Sequence, residues 1–175
     1  MFCAIVVASA GMMCQAQTWP EAARAAEVAR LIAAARPLLA DSDHDAKYPV
    51  HALGILRAEE AVPLLVGHIG YMPPARKVIA SDEAPRLLRD MLPCVEALAK
   101  IGHPAFDAVV RKACATDDDF HVMCAAITLR VAFGPDDAIT LLRARKAACK
   151  IDRERPRIDQ VIEEIDKTYR QVNFR

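Results

Sequence analysis

One phrase recurs along this chain. Residues 49–65 read PVHALGILRAEEAVPLL, residues 93–110 read PCVEALAKIGHPAFDAVV, and residues 124–142 read CAAITLRVAFGPDDAITLL. Each is an Ala-rich apolar helix, a short break, and a second apolar helix that opens near a proline or an acidic pair. The break is built from the residues such a turn needs. In Ile101-Gly102-His103-Pro104-Ala105, glycine tolerates the left-handed backbone at a helix C-terminus, and proline suits the next first turn, where no N–H partner is required. Phe133-Gly134-Pro135-Asp136-Asp137-Ala138 repeats the device and sets carboxylates at the positive end of the following helix. The first copy keeps only the outline: Leu56-Arg57 replaces Ile-Gly, and Glu59, Glu60 and Pro63 open the second helix. This grammar predicts an all-α stack of antiparallel helix pairs. Its competitor is an ordinary helical bundle without true repeats.

Successive copies start about 45 and then about 30 residues apart, in or near the range for two-helix repeats. An extra polar loop at 71–83, carrying Pro73-Pro74, accounts for the irregular spacing. Residues 46–149 resemble HEAT-like repeats, particularly the short variety of the phycobilin lyases. The resemblance rests on Ala52-Leu53, Ala97-Leu98, Gly102, Gly134 and the run Ala61-Val62-Pro63-Leu64-Leu65. It implies a short right-handed α-solenoid. The family includes scaffolds, adaptors and a few enzymes, so the motifs speak to fold more than to function.

Composition agrees with close helix packing. Apolar residues make up 54% of the chain and aromatics only 5%, so small side chains must bring the helix axes together. Lys+Arg and Asp+Glu both number 23. That balance argues against nonspecific nucleic-acid binding, which needs a basic face. After the N-terminus no apolar run is long enough to span a bilayer.

Four regions follow. Residues 1–16 look like the apolar core and small-residue cleavage region of a secretory signal, with the mature chain starting near Gln17, although no Lys or Arg precedes the run. The alternative is a buried N-terminal segment of a cytoplasmic protein. Residues 17–45 read as an N-terminal capping helix and loop: Thr18 as cap, an apolar face of Val28, Leu31, Ile32, Ala35, Leu38 and Leu39, and a kink or end near Pro37. Residues 46–149 hold the repeats. Residues 150–175 read as a C-terminal capping helix, with Ile158, Val161, Ile162, Ile165 and Tyr169 on one face. Caps of this kind shield the apolar ends of a stack.

Candidate chemistry is sparse. Export leaves Cys94, Cys114, Cys124 and Cys149, which allow two disulfides in three connectivities. The short turn at 116–119 favours Cys114 with Cys124, leaving Cys94 with Cys149; four buried thiols are the competing expectation. Asp41, Asp43 and Asp45 alternate like the opening of a calcium loop, but Ala46 and Ala52 stand where glycine and a bidentate Glu belong. A zinc site from Cys94, His103, His121 and Cys124 lacks any paired CxxC or HxxxH. No nucleophile motif and no glycine-rich phosphate loop is present.

The expected function is that of an exported, noncatalytic scaffold or adaptor that binds another protein. It calls for no cofactor, and its location is periplasmic or extracellular. Contacts are expected in the long connector, at Tyr71, Met72, Arg76 and Lys77. The rival expectations are a phycobilin-lyase-like enzyme or chaperone, and a metal-binding envelope protein.

Overall fold

A computed structural model describes residues 20–41, 43–74 and 91–173, with side chains described as far as 167. Within them the chain is all-helical and has no strand. The elements are α1 (Glu21–Ala40), α2 (Lys47–Ile55), a 3₁₀ turn (Glu59–Ala61), α3 (Val62–Gly67), α4 (Pro93–Ile101), α5 (His103–Ala115), α6 (Asp119–Phe133), α7 (Pro135–Ala148) and α8 (Glu154–Asn173). None of the helices with described side chains is long and apolar enough to cross a membrane.

The first helices of the three recurring phrases pack on one another: α2 on α4, and α4 on α6. The second helices α3 and α5 also meet, and α8 packs against α5, α6 and α7. One continuous core runs through these contacts. Val50, Leu53, Leu65, Val95, Leu98, Val109, Leu129 and Leu142 are fully enclosed in it. Small residues set the spacing: Gly54 of α2 lies against Ala97 of α4, so close that a Cβ on Gly54 would stand 2.8 Å from the Ala97 Cα.

Each break bends through a residue with positive φ. Gly102 has φ 76° and ψ −130°, and Gly134 has φ 79° and ψ 162°. Both lie further round in ψ than the left-handed helical conformation expected for them, close to a region that only glycine enters readily. In the first unit Arg57 does the same work at φ 47°, the only non-glycine with positive φ among the described residues. The two orphan carbonyls beside it are bonded from outside: the Arg24 guanidinium of α1 donates to Leu56 O at 3.0 Å and Arg57 O at 3.3 Å. Thus α1 closes the first unit by hydrogen bonding as well as by burying Val28, Leu31, Ala35 and Leu39.

Two prolines mark helix boundaries. Pro37 lies in the last turn of α1, which ends at Ala40, close to where the sequence places a kink or end. Pro93 begins α4, and Leu92, at φ −133° and ψ 66°, turns the chain there. Proline at a first helical position gives up no hydrogen bond, since that N–H has no intrahelical partner. Thr18 and Tyr169 lie outside the residues whose side chains are described.

Candidate docking face

The exposed side of α2 carries two large apolar side chains. Its inner side is fixed by Pro49, Val50, Leu53 and Gly54, all buried. Helical geometry then turns Tyr48 and Ile55 outward, seven residues and about 10 Å apart. They are 77% and 61% exposed, the two most exposed large apolar side chains among the described residues. Single exposed apolar residues are ordinary on a protein surface; two on one ridge form a patch.

His51 stands between them and ties the ridge to α4. Its Nδ1 lies 3.1 Å from Glu96 Oε2, while Lys100 Nζ is 2.9 Å from Glu96 Oε1 and 3.4 Å from His51 Nδ1. One ring nitrogen cannot both donate to the carboxylate and accept from the ammonium. The shorter contact assigns the Nδ1 proton to Glu96, and Lys100 then donates to the other carboxylate oxygen. The cluster is half-buried and charge-balanced apart from the imidazole. It braces α2 against α4 and leaves His51 Nε2 without a partner among the described residues.

Of the connector residues expected to make contacts, Tyr71 and Met72 are described; Arg76 and Lys77 lie outside the described residues. Tyr71 is buried. Its hydroxyl accepts from Ala46 N at 3.1 Å and donates to His44 O, pinning the connector to the N-terminus of α2. Burial pushes its phenol above the ordinary range. Met72, the next residue, is 53% exposed.

The acidic turn is engaged locally. Asp41 accepts from Asp43 N at 3.0 Å and sits 2.8 Å from His44 Nδ1, and these bonds hold its carboxyl below the usual range. Asp45 accepts from Lys47 N at 2.9 Å, at the start of α2. The three carboxylates of Asp41, Asp43 and Asp45 form no group able to hold a metal ion, nor does any other trio of ligand side chains among the described residues.

No protein-family model, curated protein or solved structure matches this chain. Its own side chains therefore carry the functional reading.

Cys94, Cys114, Cys124 and Cys149 are free thiols. Cys94 of α4 and Cys124 of α6 are fully buried, with the two helices packed together; burial, and then the neighbouring Cys124, push the Cys94 thiol up to about 12. Cys114, in the last turn of α5, and Cys149, which caps α7, both reach Glu154. Cys124 is fully buried on α6, which packs on α4, whereas Cys114 is partly exposed. His103 packs against Phe133 with ring centroids 4.7 Å apart and the rings tilted by 52°, beside the turn. His121 opens α6 near Asp118, with Nδ1 2.9 Å from Asp118 Oδ2 but out of line for a hydrogen bond. Its ring packs on Gly70, where an added Cβ would stand 2.9 Å from Nε2. The α2 ridge was missed in the sequence because Tyr48 and Ile55 differ in nothing, as residue types, from core residues.

Proposed function

We propose that this chain is a short HEAT-like solenoid that acts as a noncatalytic docking module for another protein, and that residues 1–16 direct its export. The observation that carries the docking reading is the ridge of Tyr48 and Ile55, exposed on a helix whose other side is locked in the core. The order of packing, α2 on α4 on α6, and a positive-φ residue in each break support a repeat architecture. Rigidity suits the task, because a preformed ridge loses little conformational entropy on binding. His51 with Lys100 supplies polar contacts beside it. The partner would present an apolar groove, into which the α2 ridge fits as helix ridges fit grooves.

A photo-crosslinking residue placed at Tyr48 or at Ile55 in the native host should capture one shared protein. The same residue at exposed Thr140 should not. Equal capture at all three sites, or none at the ridge, overturns the docking face. Protein recovered from that host should also begin near Gln17; a product retaining residues 1–16 removes the export claim.

A further inference from the structure

The two thiols at Glu154 hold a second feature of this chain, independent of what docks on α2. We propose that Cys114 and Cys149 are an intramolecular disulfide site that joins the end of α5 to the connection between α7 and α8. Cys114 Sγ lies 3.7 Å from Glu154 O. Cys149 Sγ lies 3.4 Å from Glu154 Oε2 and 3.3 Å from Ile151 O. A single residue thus receives both thiols, one on its backbone and one on its carboxylate. The surroundings hold it in place: Arg145 lies 3.5 Å from the same carboxylate, and Arg155 donates to Cys149 O at 3.1 Å.

The other two pairings of Cys114 are disfavoured by position. Cys94 and Cys124 lie together in the α4–α6 interface, both 0% exposed, where no oxidant reaches them. Cys114 is the only one of the four that is not buried. It is therefore the point of attack. Its thiolate attacks one sulfur of a low-molecular-weight disulfide, the oxidant's S–S bond breaks, and one small thiol leaves with a proton. Cys149, having lost its own proton, attacks the Cys114 sulfur of the mixed disulfide. The Cys114–Cys149 bond forms and the second small thiol departs, so two electrons and two protons pass to the oxidant. Burial, and then the negative Glu154, push the Cys114 thiol up to about 11. The reaction is accordingly slow at neutral pH and quickens as pH rises toward that value, since the thiolate is the nucleophile.

The bond would close residues 114–149 into a loop containing α6 and α7, restricting the unfolded chain. The test needs only the purified full chain. It is equilibrated with oxidised and reduced glutathione at mildly alkaline pH, alkylated, and cut with trypsin together with a protease that cleaves before aspartate. Cleavage before Asp117 separates Cys114 from Cys124, so the expected product is residues 113–116 disulfide-linked to residues 147–150. Oxidation should also raise the urea midpoint of the wild type and leave that of Cys149→Ser unchanged. A link from Cys149 to Cys3, Cys14, Cys94 or Cys124, or four alkylated repeat thiols, overturns the proposal. Because the oxidation is done in the test tube, either result leaves the docking and export readings standing.

Discussion

At the scale of the residue, two glycines in neighbouring helices carry opposite consequences. Gly54 and Gly67 both sit in helices, where alanine is intrinsically better by about 1 kcal/mol. Around Gly67 nothing lies within 4 Å of an added Cβ, so Gly67→Ala should stabilise the fold by up to about 1 kcal/mol. At Gly54 the added Cβ meets the Ala97 Cα at 2.8 Å and the Ala97 Cβ at 3.2 Å. The first of these atoms is backbone, so the strain is relieved only if α2 and α4 move apart. Overpacking of this kind costs about 1–3 kcal/mol, which outweighs the gain in propensity. Gly54→Ala is expected to lower the urea midpoint and Gly67→Ala to hold or raise it. A stabilising Gly54→Ala would mean that the α2–α4 contact is looser than the structure has it. The same contact explains what could be read in advance. Gly102 and Gly134 sit in an obvious break, with proline one or two residues on, whereas the role of Gly54 depends on a neighbour 43 positions away that no local pattern reveals.

Among the elements, α8 shows which forces dominate. Ile158, Val161 and Ile165 are essentially inaccessible, and their i, i+3, i+7 spacing was legible in the sequence. Polar contacts surround them. Arg157 reaches Asp117 at 2.9 Å, Gln160 donates to Asp119 at 3.0 Å, and Lys146 meets Asp159 at 2.7 Å. Arg157 ties α8 to the α5–α6 turn, and its charge pattern gives no hint of a partner 40 residues away. The polar contacts are nonetheless the weaker term. Asp117 is fully exposed, and exposed ion pairs contribute about 0–1 kcal/mol. Truncating a buried isoleucine costs about 2–5 kcal/mol. Ile158→Ala should therefore destabilise several-fold more than Arg157→Ala, and added salt should shrink only the second effect. Equal losses in urea titrations of the two variants would show that α8 is held by charge.

For the whole molecule, buried thiols tie stability to alkaline pH. Burial raises Cys94 from 9.0 to about 12, and Cys114 and Cys124 from 9.0 to about 11. The unfolded chain releases these protons near pH 9, while the folded chain keeps them. Above pH 9 the folded state thus binds more protons than the unfolded state, and stability must fall as pH rises. The contribution of the three thiols is fully present below pH 9 and is lost through about 11 for Cys114 and Cys124, and about 12 for Cys94. Tyr71 acts in the same direction from its ordinary value of 10.0 upward, because its phenol is also raised by burial. The reduced protein should hold its urea midpoint from pH 7 to about 9 and then decline steeply. Replacing Cys94 and Cys124 together by alanine lowers the midpoint at neutral pH, since two buried side chains are truncated, but it should flatten the decline between pH 9 and 11. The comparison rests on the slope, so the lost packing does not obscure it. An unchanged slope would mean that the thiols ionise in the folded state as easily as in water, and that the α4–α6 interface is open to solvent.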